Sequence, residues 1–457
     1  MTTALGDLSL AIPAESAPRA RRGGMLRKGF WAVMDQGLFA GSNFIVNIML
    51  ANWLTPAQYG AFSTAFAAFL FLGVVHTALL TEPMLVFAPD RYKSQMGKYF
   101  AALIRGHVIV SLAASACLAI AGLYLRAHAQ IDLANALFWF AATGPFTLFL
   151  WFMRRTSYAQ FNPRRAAMAG FVYLFLIVAG LLVFHHIGVM GVGVSLVLMG
   201  ACSLVAGLWL VVGHVHFGSL DSALLKDVAA EHWKYGRWAA ATQLLGYIPG
   251  NVYYFLLPKL ATLEQSGALR ALSNLVNPFI QANAALCLLL LPAFVRSHHT
   301  PEGKRMHRLA LLVLAGAPAI YWLGLGIFNH QIIALVYKGK YAQYSSLLWV
   351  IGLQPVIAGM CGVYGSLLRA RQKLNAVFWG GVVAAVAAVT LGVWLTLRWG
   401  LAGVCWSIII TYALHHITLW LFSLDWSGPR VARRPFGIIG RFCRATAQKS
   451  GNACLPE

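Results

Sequence analysis

The sequence predicts an all-α polytopic membrane protein, with about 12 transmembrane helices in two parallel six-helix lobes. Three observations carry this expectation: twelve apolar segments between about Phe30 and Phe422, a lopsided distribution of Lys and Arg, and an internal repeat. Crossing a bilayer core takes roughly 20 apolar residues. In lipid the backbone must satisfy its own hydrogen bonds, so such segments are helices. The 457 residues are 59% hydrophobic and 11% charged, where a soluble domain carries about 25% charged residues. The formal net charge of +22 does not indicate a nucleic-acid partner, because most cations sit in short loops between apolar runs.

Residues 1–29, rich in Ala, Pro and Arg, read as a disordered cytoplasmic tail. They lack an apolar h-region, so no cleavable signal peptide is expected, and Met25 would itself make a sensible start. The N-terminal lobe, 30–213, holds helices over 30–53, 60–84, 99–125, 133–153, 166–186 and 189–213. A polar connection, 214–235, leads to the C-terminal lobe, 236–422, with helices over 236–257, 267–292, 308–328, 343–368, 374–397 and 401–422. Residues 423–457 form a basic cytoplasmic tail.

With the amino terminus inside, 28 of the 35 Lys and Arg fall in inner tails and loops, 6 fall outside, and Arg105 lies within a helix. That asymmetry places both termini in the cytoplasm and requires an even number of crossings. The inner set includes Arg154, Arg155, Arg164 and Arg165, read as one loop.

Gln58, Gly60 and Ala61 match Gln265, Gly267 and Ala268 at an offset of 207. Gly188, Gly191, Val192 and Ser195 match Gly400, Gly403, Val404 and Ser407 at 212, and Pro145 matches Pro355 at 210. The nearly constant offset indicates a duplication. Because six is even, the halves enter the membrane in the same direction, about a pseudo-twofold axis along its normal. Rocking of one lobe against the other then gives access to either side.

Charge within hydrocarbon is expensive, so intramembrane charges are the first functional candidates. Asp35, Glu82 and Arg105 fall at similar depth near the inner side, and Arg105 either pairs with one of the acids or snorkels to the headgroups. Helix 8 repeats polar residues at Arg270, Asn274, Asn277 and Gln281, three and four apart and hence on one face. Helix 1 offers Gln36, Asn43 and Asn47, and helix 7 offers Asn251. Such faces are either interhelical hydrogen-bonding surfaces or the walls of a polar cavity. His76 and His107 are either proton-shuttling or packing residues. The intramembrane prolines add weak evidence of mobility. Five of the seven cysteines, Cys117, Cys202, Cys287, Cys361 and Cys405, lie in apolar runs without metal or disulfide spacing, as small core residues. No phosphate loop, zinc-protease or nucleophile-elbow motif occurs, so neither ATP use, an enzymatic activity nor a cofactor is expected.

The stretch 31–62, with Leu54, Pro56, Tyr59 and Gly60 in a leucine-x-proline-x-x-tyrosine-glycine turn, resembles the opening of bacterial Wzx-type polysaccharide flippases of the MOP superfamily. Residues 267–294 resemble the eighth helix of that family, and Glu82-Pro83-Met84 also resembles a stretch found in it. The resemblance implies two six-helix bundles in a V. It also implies flipping of an undecaprenyl-diphosphate-linked oligosaccharide across the bacterial inner membrane for surface polysaccharide biosynthesis, alongside a polymerase and glycosyltransferases. Position then makes Arg270 and Arg105 candidates for the anionic headgroup. Asn274, Asn277, Gln281, Asn43, Asn47 and Asn251 are candidates for the sugar, and Asp35 and Glu82 for proton or sodium coupling. A multidrug exporter of the same superfamily, a major-facilitator transporter and a non-transporting scaffold for polysaccharide assembly are the competing readings.

Overall fold

The computed structural model describes residues 19–212, 222–297 and 300–424. The expectations for residues 1–18, the first part of the connection and most of the basic tail lie outside them. Within the described residues the chain is helical and without strands. Nine helical stretches are long and apolar enough to cross a membrane. They are α2 (Pro56–Phe87), α3 (Lys93–Ala127), α4 (Ile131–Ala159), α5 (Pro163–His186), α6 (Val192–Val211), α8 (Leu263–Ser297), α9 (Pro301–Ile327), α10 (Ala342–Ala370) and Leu374–Leu424. The last breaks at Gly400, whose φ of 53° is left-handed, into α11 (374–399) and α12 (401–424). Two further long helices, α1 (Arg19–Trp53) and α7 (Ser222–Asn251, continued by Tyr253–Leu260), complete twelve. These two are the most polar of the set.

Several boundaries differ from the sequence expectation. Helix α1 runs back through residues 19–29, and α7 starts at Ser222 inside the expected polar connection. Once a membrane helix is nucleated, each further residue adds a hydrogen bond at little cost, so polar ends stay helical beyond the apolar run. By the same logic α4 continues past residue 153 to Ala159. A short helix, Asn329–Tyr337, stands between α9 and α10 and has no counterpart among the expected elements. Of the five cysteines, Cys202, Cys361 and Cys405 are buried, whereas Cys117 is exposed and Cys287 is half-buried.

The duplication appears at the helix starts. Thr55 caps α2 in a box with Gln58: the threonine hydroxyl accepts from the Gln58 N–H, and Gln58 Oε1 accepts from the Thr55 N–H. At the same offset Thr262 accepts from the Gln265 N–H, while the Gln265 side chain accepts from the Leu401 N–H at 2.8 Å, pinning the start of α12 to α8. The two repeat glycines meet in space. A Cβ on Gly60 would overlap the Leu263 carbonyl, and one on Gly267 would lie 2.7 Å from the Pro56 carbonyl. Pro56 and Leu263 are themselves one repeat apart, so the contact is reciprocal, as a twofold relation requires.

Twelve crossings put the described ends on one face, here called the basic face. Near the opposite, far face, one apolar core spans both lobes, from Leu50, Tyr59 and Phe62 to Leu269, Leu272 and Tyr337. Toward the basic face the core divides. One cluster, around Phe100, Phe152 and Met153, belongs mainly to the first lobe. The clusters around Phe294 and Val363 and around Leu368 and Leu419 belong to the second. The lobes thus share one core at the far face, while toward the basic face their cores are largely separate and α7 packs against the first lobe through Leu224 and Val228.

Candidate functional site

At the far face the polar stripes of α1 and α8 turn toward each other. Arg270 Nε donates to Asn47 Oδ1 at 3.1 Å, and Tyr59 donates to the same oxygen. Asn274 Nδ2 donates to the Phe44 carbonyl at 3.2 Å. The Arg270 guanidinium lies 4.7 Å from the Phe66 ring centroid. Thr64 and Ser266 share a hydrogen bond of 2.9 Å across the same seam. Lys340, after the short helix, donates to the carbonyls of Ala51, Asn52 and Leu54 at the end of α1, which supplies the acceptor-bearing helix end with a cation. Asn47 and Asn274 are therefore buried in the seam between the lobes.

Further toward the basic face no direct side-chain hydrogen bond joins these two helices among the described residues. Asn43 and Asn277 are half-buried, and Gln36 and Gln281 are exposed. Asn251 donates back to Tyr247 O in its own helix. The stripes thus serve as interhelical glue in their outer parts, and only their inner ends face open space.

On the basic side the lobes touch through α2 and α7. Between Thr77 and Thr81, α2 is π-helical, and a π turn alters which backbone carbonyls remain available. The Leu79 carbonyl accepts from His232 Nδ1 at 2.8 Å. His232 Nε2 therefore accepts from the Tyr99 hydroxyl, also at 2.8 Å. Gly236 lets α7 approach this turn, because a Cβ there would lie 2.9 Å from Ala78 O. Glu82 accepts from Gln243 and, at 3.4 Å, from Tyr235. Outside the membrane, Arg91 pairs with Asp227 at 2.8 Å and with Glu231 at 3.5 Å. Tyr92 donates to Asp227 at 2.8 Å. Burial, and then this bond to a carboxylate, push its hydroxyl up to about 12, so it remains a neutral donor.

The chemistry-bearing space lies within the first lobe. A cavity of about 200 Å³ is lined by Asp35, Gln36, Phe39, Thr77, Thr81, Trp151, Arg154, Arg155 and Tyr158. Asp35 is fully buried. Its Oδ1 accepts from Arg154 NH2 at 2.8 Å and Nε at 3.1 Å, and its Oδ2 accepts from Tyr158 at 2.8 Å. The Arg154 guanidinium also covers the Phe39 ring at 4.5 Å. A buried carboxylate is tolerable when paired and hydrogen-bonded in this way.

This corrects the expected pairing of Arg105 with Asp35 or Glu82. Arg105 is exposed, and it shares a stripe with Val108, Ile109 and Leu112, all about half exposed or more. That is the lipid-facing side of α3, from which a long cation snorkels. The cation beside Asp35 is Arg154, and its neighbour Arg155 is exposed to the cavity and forms no ion pair among the described residues. Both were placed in an inner loop by the sequence reading, and the apolar run ending at residue 153 concealed that the helix carries them into the site. His76 Nε2 and His107 Nδ1 lie 2.9 Å apart as a buried pair between α2 and α3, outside the cavity lining. No group of three or more metal-ligating side chains occurs among the described residues.

No protein-family model and no curated protein matches the sequence. Solved structures do. The chain is similar to the lipid II flippase MurJ in an inward closed conformation, with a TM-score of 0.68 at 12% identity, covering 87% of each chain. It is similar to an inward-facing multidrug-resistance MATE-family transporter of the MOP superfamily, with a TM-score of 0.67 at 12% identity, covering 92% of this chain and 100% of that one. A MOP-superfamily transporter from Pyrococcus furiosus, described as having a binding pocket of reversed polarity, gives 0.61 at 12% identity, covering 87% and 94%. The fold is the one these MOP-superfamily transporters share, two parallel six-helix lobes in the membrane.

Proposed function

We propose that this protein is a bacterial inner-membrane transporter that flips an undecaprenyl-diphosphate-linked oligosaccharide by alternating access, with both termini cytoplasmic. The observation that carries the reading is Arg155, a guanidinium that lines the Asp35 cavity and forms no ion pair among the described residues, Asp35 itself being engaged by Arg154. A diphosphate is the kind of group such a cation recognises. Thr77, Thr81 and Gln36 supply hydrogen bonds suited to a sugar. The likeness to a lipid flippase and the 28-to-6 bias of Lys and Arg support the same assignment. Arg155, with Gln36 and the inner residues Asn277 and Gln281, replaces Arg270 and Arg105 as the candidate headgroup contacts. Glu82, hydrogen-bonded across the lobes to Gln243, is the acid best placed for coupling to a proton or sodium ion. A polymerase and glycosyltransferases would supply and consume the cargo.

The second reading is an organic-cation exporter. It is favoured by the aromatic wall of Phe39, Trp151 and Tyr158 and opposed by the engagement of Asp35 with Arg154. Deletion with lipid analysis separates the two. Lipid-linked oligosaccharide should accumulate on the inner leaflet, and Arg155→Ala should reproduce that accumulation while Arg155→Lys partly relieves it. Unchanged surface polysaccharide with altered drug tolerance would select the exporter.

A further inference from the structure

On the basic face a second depression, of about 620 Å³, is formed by the early turns of α1 and the connection from α4 to α5. Arg27, Lys28 and Arg164 line it, and no acidic residue does among the described residues. None of the three forms an ion pair among the described residues. Three like charges gathered without an acid repel one another, and a bound anion relieves that repulsion. The Arg164 guanidinium lies 5.6 Å from the centroid of the Trp31 ring, which holds the cation beside an apolar surface. Phe161 on the rim, and Phe30 next to it on α1, are 60% and 58% exposed. Cations at headgroup depth beside bare aromatic rings at the membrane boundary match the chemistry of a lipid, charged at one end and apolar at the other. A free soluble anion would gain nothing from the rings.

We propose that this depression binds the phosphate headgroup of a membrane lipid. Two lipids carry that chemistry, a resident anionic phospholipid and the polyprenyl diphosphate end of a lipid-linked sugar. Trp31 precedes Asp35 by four residues, about 6 Å along the helix, so the depression adjoins the mouth of the Asp35 cavity. The site does not depend on the transport reading, because headgroup binding is measured without turnover.

The test uses the purified full chain in detergent, titrated at low salt with phosphatidylglycerol, phosphatidylcholine or undecaprenyl diphosphate and read by native mass spectrometry. The wild type is compared with the R27Q/K28Q/R164Q variant. These side chains lie at the surface, and an unchanged melting temperature confirms that the variant folds. At least tenfold weaker binding of phosphatidylglycerol by the variant, with phosphatidylcholine unaffected, assigns the site to the bilayer's own anionic lipid. The same loss confined to undecaprenyl diphosphate assigns it to the polyprenyl carrier. Equal binding of both anionic lipids by wild type and variant, or no preference of the wild type for them over phosphatidylcholine, overturns the proposal.

Discussion

In the N-terminal lobe, Pro145 is followed nine residues later by Arg154 and then Arg155, whereas in the C-terminal lobe the same step from Pro355 reaches Tyr364 and Gly365. Asp35 falls opposite Thr242 at the offset that relates Gly60 to Gly267. Tyr364 meets the rings of His307 and His416 edge-on, with centroids 5.2 and 5.3 Å away. The halves thus retain matching residues where backbone meets backbone, at the capped helix starts and at the paired glycines. They differ where side chains face the interior of each bundle. Scaffold positions are constrained in both copies by the packing between them, but a charged site is needed only once.

The largest expected effect tests the charged side of this contrast. Arg154→Ala strands Asp35 as a buried unpaired charge and should cost about 3–5 kcal/mol, read as a fall in melting temperature of the purified protein. Adding Asp35→Asn should restore most of it. Tyr364→Phe at the matching place in the other lobe should stay within about 0.5 kcal/mol, because no buried charge depends on it. Equal losses from the two lobes would erase the distinction.

The second effect tests the shared side. Gly60→Ala forces the α2–α8 seam apart, at about 1–3 kcal/mol, and Gly267→Ala should do so more mildly, since its new methyl meets a carbonyl at 2.7 Å. Both should raise the labelling rate of a single cysteine introduced at the far face. A response from one glycine alone would show that the contact is not reciprocal in solution.

Lys340→Met should come next. It removes a charged donor from three carbonyls at and just past the end of α1, about 1.5–3 kcal/mol for hydrogen bonds to a charged group before discounting for exposure. Far-face labelling should rise with little change in binding from the basic side. The smallest effect belongs to Tyr92→Phe, which deletes one hydrogen bond to Asp227 and should lower stability by about 1 kcal/mol.

The crossings, their repeat and the meeting of polar stripes on α1 and α8 were legible in the sequence, because hydropathy and residue spacing are local signals. Gly60 and Gly267 announced themselves by matching, although nothing in the sequence says that they touch. The cavity was less accessible. Asp35 was singled out, but its partner lies 119 positions away, and no periodicity encodes a contact of that range. Arg154 and Arg155 escape a hydropathy reading for a specific reason: the apolar run ends where charge begins, yet the helix continues to Ala159 and the buried carboxylate of Asp35 offsets one of the charges. Arg105, conspicuous in an apolar stretch, faces lipid instead. The usable signal was the Arg-Arg pair following the sole intramembrane proline of α4, which a charge count assigns to topology alone.

The glycine seam also carries a historical implication. A contact in which each partner presents the same residue to the same carbonyl of the other is what a half-length chain would make with its own twin, where a single codon supplies both sides. Once the twins are joined in one gene, each copy can drift by itself, and an acid–base pair can be acquired in one half without being imposed on the other.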